Sequence, residues 1–162
     1  RPLTADELCG RIERLVAAAS EPLDGMKDAE TLIEQFLERF PDDPRADGQR
    51  AMKRHILVDR LEKRADLRDR RDKPPYLRIE RDYRAAMEKD EPAARLAALR
   101  GILGTRRETL GAAVGPEVRD DEELIPDVDL WIDLVKKTAE DVERLVDVEN
   151  RVKRQDSSRK EP

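Results

Sequence analysis

The sequence predicts an all-α fold: an array of about five to seven antiparallel helices, closed by one long helix at the C-terminal end. Two observations carry this. Apolar residues recur three and four positions apart in most segments, and no segment shows sustained strand-like alternation with β-branched enrichment. The helix-ending prolines at 22, 41, 74, 92, 116 and 126 then divide the chain into segments of helical length.

Thr4 opens the first helix with Glu7 three residues on, the spacing of a capping box, and Leu8, Ile12, Leu15 and Val16 form its apolar stripe. Pro22 and Asp24-Gly25 punctuate the chain before a second helix. That helix carries Met26, Ala29, Leu32, Ile33, Phe36, Leu37 and Phe40, and it ends at Phe40 because Pro41 and Pro44 cannot continue it. A third helix starts near Arg45 and presents Met52, Ile56, Leu61 and Ala65. Beyond Leu67 it has no apolar stripe, so it is expected to fray or project before Pro74 and Pro75. Tyr76, Ile79, Tyr83 and Met87 mark a fourth helix. Pro92 suits the first position of a fifth, which bears Leu96, Leu99 and Leu103.

Four of the seven glycines cluster at 101, 104, 111 and 115. With Pro116, Pro126 and the acidic run 120–123 they make 104–126 the expected linker or loop, interrupted by a short helix around 109–114. The last helix is expected over 127–154. Val128, Trp131, Val135, Thr138, Val142, Leu145, Glu149 and Val152 form its heptad-like seam, with Thr138 and Glu149 as weak positions. The polar tail 155–162 is expected to be disordered. The domain organisation that follows is a helical domain over 1–103, the linker 104–126, and a C-terminal helix packing on the same domain.

Within this frame, the stretch from Ala29 to Leu61 resembles a tetratricopeptide repeat junction. Phe40-Pro41 and Pro44 supply the aromatic-proline turn, and Ala46 and Ala51 the small residues that let the next helix pack closely. The flavour is that of bacterial cell-envelope proteins, and the match covers about a fifth of the chain. The helix-ending prolines do not keep the 34-residue period of such arrays, and no glycine follows Leu61, so one and a half degenerate repeats are the most it supports. The resemblance implies helical hairpins and a protein-binding scaffold; it implies no catalytic residue.

Composition narrows the function further. Charged residues make up 44% of the 162 positions, and no stretch approaches the ~20 apolar residues that a membrane helix needs. One cysteine, Cys9, excludes an intrachain disulfide, and one histidine, His55, with one cysteine cannot make a structural zinc site. His55 has Asp59 one turn away but no Ser, Thr or Cys within ten residues, so it reads as a surface or boundary histidine. Cys9 reads as a small buried helix residue. Acidic clusters starting at Asp43 and Asp127 have partial EF-hand spacing, but Ile132 and Thr138, and Arg45 and Arg54, stand where a calcium loop needs glycine or ligands. They read as acids at helix starts. P-loop, dinucleotide and nucleophile-elbow motifs are missing. The expectation is a protein that is not an enzyme, with no catalytic, cofactor-binding or metal-binding residue and no cofactor.

The charge is segregated. Residues 1–44 hold 5 basic and 11 acidic groups (net −6), residues 45–107 hold 19 and 11 (net +8), and residues 108–162 hold 9 and 16 (net −7). Arg50, Arg54, Arg64 and Arg68, with Tyr76 and Tyr83, are therefore the expected partner-binding residues. Asp59, Glu62, Asp66, Asp69 and Asp72 are interleaved at intrahelical pairing distance, which disfavours a nucleic-acid surface and leaves a binder of nucleic acid or an acidic partner through the basic segment 45–107 as an alternative. The seam residues Trp131, Val135, Val142 and Leu145 offer a second surface. They are expected to pack within the chain, with a homodimer through the C-terminal helix as the alternative. The chain starts at Arg1 and reads as a fragment or processed product, an accessory or sensor region of a larger bacterial envelope or signalling protein. Its partner is expected to be another protein, and its compartment, cytoplasm or cell envelope, is left open.

Overall fold

The computed structural model describes residues 1–19, 22–117 and 127–160. Among these residues the fold is all-helical: α1 (Ala5–Ala18), α2 (Pro22–Arg39), α3 (Ala46–Arg70), α4 (Arg78–Met87), α5 (Pro92–Leu103), α6 (Arg107–Leu110) and α7 (Val128–Lys160). No helix of the described residues is long and apolar enough to cross a membrane. The chain forms two compact units, residues 1–63 and 64–162, so the division falls inside α3 and not in the segment 104–126. The acidic run 120–123 and Pro126 lie outside the described residues.

In unit 1, the Thr4 hydroxyl caps α1 by accepting from the Glu7 amide at 3.2 Å. The Glu7 carboxylate takes Arg1 instead, at 2.6 Å. Helix α2 already begins at Pro22, with Asp24-Gly25 inside it, and ends one residue before Phe40 as Pro41 dictates. Leu8 and Ile12 of α1, Ala29, Ile33 and Phe36 of α2, and Ala46 and Ile56 of α3 form one buried cluster. Each large side chain buried there contributes ~1.5–3 kcal/mol, against ~0.2–0.5 for an exposed intrahelical ion pair, so packing and not charge holds this unit. Ion pairs reinforce it at the edge: Arg60 donates to Glu30 at 2.7 Å, and Lys53 lies 3.2 Å from Glu34.

In unit 2, α4, α5 and α7 pack on one another around Ile79, Leu99, Trp131, Leu134 and Val135, all essentially without solvent exposure. Tyr83 meets Trp131 edge-on at 5.7 Å. The described part of 104–126 is packed and not a free linker. Leu110 is buried, the Arg78 amide donates to the Ala112 carbonyl at 2.9 Å, and the Val114 amide donates to the Tyr76 carbonyl at 2.8 Å. The short helix expected at 109–114 forms slightly earlier, as α6.

Two expectations about helix ends are corrected. Helix α3 does not fray after Leu67; it runs to Arg70 and closes in a Schellman arrangement. The Lys73 amide reaches back to the Arg68 carbonyl and the Asp72 amide to the Asp69 carbonyl, both at 3.0 Å, with Asp72 at φ 56°. The tail is not irregular either, since α7 continues to Lys160.

Both devices are testable. Asp72→Val should destabilise unit 2 by ~1–2 kcal/mol in denaturant titration, because a β-branched side chain resists the left-handed conformation, whereas Asp72→Gly should be neutral or stabilising. A Cβ on Gly115 would fall inside the van der Waals shell of the Pro75 carbonyl oxygen. Gly115→Ala should therefore cost ~1–3 kcal/mol, read the same way.

Candidate functional site

Unit 1 carries a groove open to the surface. Where α1 faces the start of α3, a groove of about 470 Å³ opens, with apolar walls from Ile12, Val16, Ala17 and Met52. Glu13 and Arg45 stand at its margins and Cys9 and Gln49 also line it. Arg45 is fixed there: it donates to Asp6 at 2.7 Å and to both oxygens of Asp43 at 3.0 and 3.1 Å. Those bonds hold the Asp43 carboxyl below its ordinary range and the Arg45 guanidinium firmly charged. Gln49 donates from Nε2 to Cys9 Sγ at 3.7 Å, and its Oε1 is buried with no hydrogen-bond partner. An unmet buried acceptor costs ~1–3 kcal/mol.

Cys9 is buried, and burial pushes its thiol above the ordinary range although Arg45 pulls the other way. Burial thus works against a thiolate at this position. His55 sits exposed on α3. The acids at Asp43 and Asp127 serve the backbone. Asp43 Oδ1 accepts from the Arg45 amide at 2.9 Å, and Asp127 Oδ1 accepts from the Asp129 and Leu130 amides at 2.9 and 3.3 Å, capping α7. Asp129 is then clasped by Arg107 through two bonds, at 2.8 and 3.0 Å. Among the described residues no three His, Cys, Asp or Glu side chains converge as a metal would require.

The residues expected to meet a partner are scattered. Arg50 is exposed and donates to Asp47 at 2.7 Å; Arg54 is exposed and Arg64 half-buried. Arg68 and Tyr76 are corrections, since both are buried inside unit 2 and neither is a surface group. Tyr83 is half-buried, its hydroxyl 3.4 Å from Thr138 Oγ1. Of the four seam residues offered as a second surface, Trp131, Val135 and Val142 are buried within unit 2 and Leu145 is exposed.

What binds Arg68 and Tyr76 is Glu80, which has no solvent exposure. Its Oε1 lies 2.9 Å from Arg84 Nη2 and 3.5 Å from Arg68 Nε, and its Oε2 accepts from the Tyr76 amide at 2.8 Å. Arg68 stacks on the Tyr76 ring at 4.0 Å and donates to the Tyr76 hydroxyl at 3.1 Å and the Pro74 carbonyl at 2.8 Å. Arg84 donates to the Lys73 carbonyl at 2.7 Å. Together these bonds tie the end of α3 to the start of α4. The sequence signal was available, since Glu80 lies in phase with Tyr76, Tyr83 and Met87, as Gln49 does with Met52 and Ile56.

Burial pushes the Glu80 carboxyl above its ordinary range, against the pull of Arg84 and then Arg68. The folded chain thus holds this proton more tightly than the unfolded chain. The associated stability is present below the ordinary glutamate value of 4.5 and is lost as pH rises through the folded value. Glu80→Ala, which strands two guanidiniums and an amide, should cost ~3–5 kcal/mol. Glu80→Gln should cost less, and its deficit against the parent should shrink as pH is raised from 4.5, measured by urea titration across pH.

Compared with known proteins, the chain matches no family model, no curated protein and no solved structure.

Proposed function

We propose that this chain is a non-catalytic protein-binding scaffold whose unit 1 receives an apolar segment of a partner protein in the groove between α1 and α3. The observation that carries the reading is the groove's composition: apolar walls, bounded by Arg45 in its ion pairs with Asp6 and Asp43 and by Gln49, whose Oε1 has no hydrogen-bond partner. A volume near 470 Å³ suits one or two apolar side chains, the anchors by which an amphipathic helix or extended segment docks. The tetratricopeptide-like junction of residues 29–61 is consistent with this use, because helical hairpins of that kind bind through grooves between helices. A scaffold role, as an accessory or sensor region of a larger bacterial envelope or signalling protein, is the setting we propose for it.

The test is selection of peptides from a displayed random library on the immobilised chain. Enriched peptides should carry apolar anchors three or four residues apart. Met52→Trp, which enlarges a half-buried side chain on the groove wall, should weaken their binding by roughly tenfold or more, the loss expected of one anchor, with unfolding in urea measured alongside to show that the adjoining cluster is intact. Gln49→Leu should weaken the peptides by a smaller factor. Enriched peptides that bind the Met52→Trp variant as tightly as the parent would remove the groove from the proposal.

A further inference from the structure

Helix α7 leads two lives. Up to Val142 it contributes Trp131, Leu134, Val135, Thr138, Ala139 and Val142 to the interior of unit 2; beyond Val142 no described residue of the helix is buried. That remainder, residues 143–160, is ~27 Å of helix at 1.5 Å per residue. It nevertheless carries an apolar stripe. Leu145, Val148 and Val152 are 54%, 55% and 50% exposed, and they make up three of the five large hydrophobic residues that are exposed among those described. Their spacing of three and four places them on one line, as the a, d and a positions of a heptad. In this register Glu149 leaves the seam, where the sequence pattern had put it, and moves to a flank.

The flanks identify the occupant. The residues preceding each a position, Arg144 and Arg151, are basic and occupy g positions. The residues following the d positions, Val148 and the polar Gln155, are Glu149 and Asp156, which are acidic and occupy e positions. In a parallel pair of identical helices, a g residue faces the e residue five positions on in the other chain. Arg144 then meets the partner copy's Glu149 and Arg151 meets its Asp156, each pair twice by symmetry. An antiparallel pair would oppose g to g and e to e, setting arginine against arginine and acid against acid. The outer positions carry Asp147, Asn150 and Arg154, which are polar and face away from the stripe.

We propose that the C-terminal half of α7 is a parallel, in-register homodimerisation segment, with Leu145, Val148 and Val152 in its seam. Two heptads make a short coiled coil, so the association is concentration-dependent and not obligate. The pairing leaves the buried half of α7 as it stands, because it uses no residue of the unit 2 interior.

Sedimentation equilibrium of the full chain across a concentration series should show a monomer–dimer equilibrium. Leu145→Asp should weaken it by at least about tenfold with unchanged helicity, since that side chain is already half in water. Orientation is read by oxidation in a Cys9→Ala background. Leu145→Cys and Val152→Cys should each cross-link to their own counterpart, whereas Asn150→Cys should not. Arg144→Glu with Arg151→Glu should suppress self-association, and mixing this variant with Glu149→Arg, Asp156→Arg should restore it as a heterodimer. A monomer at the highest soluble concentration overturns the proposal. So does a dimer that tolerates Leu145→Asp, or one in which Leu145→Cys cross-links only to Val152→Cys.

Discussion

The Glu80 carboxylate is the constraint around which unit 2 is built. Moving a carboxylate and two guanidiniums out of water costs several kcal/mol per ion, so the fold must surround them with well-placed partners or lose the unit. It does so by bending backbone towards them. The carbonyls of Lys73 and Pro74 accept from Arg84 and Arg68, and the amide of Tyr76 donates to Glu80. For those groups to face inward, α3 must stop sharply, which the left-handed Asp72 achieves. The far side of the same turn is then free to pair outward. The Tyr76 carbonyl accepts from Val114, and the 111–117 segment closes so near Pro75 that only glycine fits at 115. A single buried side chain thus orders the end of α3, the start of α4 and the loop after α6.

The features legible in the sequence are those decided within one turn of helix. Pro41 ends α2, Pro92 begins α5, and Thr4 caps α1, because each acts on backbone groups two to four residues away. Arg68 and Tyr76 were misplaced for the opposite reason. Arginine is usually a surface residue, and only the tertiary arrangement shows that Glu80 waits for it. The division at residues 63 and 64 leaves no compositional trace, since it falls in the middle of a continuous helix. Glycine and proline mark where backbone must turn, as at Gly115, and the clustered glycines pointed to a boundary where the chain in fact packs. Residues 155–160 carry no apolar stripe, yet a helix already 27 residues long at Arg154 needs little more than propensity to continue, because propagation is far easier than nucleation.

The basic centre of the sequence changes character once folded. Arg45, Arg50, Arg60, Arg68, Arg78, Arg84, Arg100 and Arg107 each lie within ion-pair distance of a carboxylate. Arg100 and Arg107 reach Glu143 and Asp129 of α7, so part of the acidic C-terminal third answers part of the basic middle within unit 2. A phosphate backbone would have to displace these acids, losing most of the gain that counterion release supplies to a free basic surface. Part of the segregated charge is therefore answered within the molecule.

The groove and the α7 stripe are small, and their smallness bears on how they would work together. A groove for one or two anchors gives modest affinity, and a two-heptad pairing segment gives a modest dimer. Neither needs to be strong alone. On the dimer inferred above, each assembly presents two grooves, so a partner bearing two apolar segments engages the second as an intramolecular event at a high effective concentration. Avidity gains of that kind reach ~10²–10⁴ without any new contact, provided the partner's two segments can span the distance. Occupied grooves would in turn stabilise the dimer, because binding energy that requires two copies is linked to their association. Weak self-pairing would then be an advantage, since a free chain in monomer–dimer equilibrium can be drawn to the paired state by a bivalent partner.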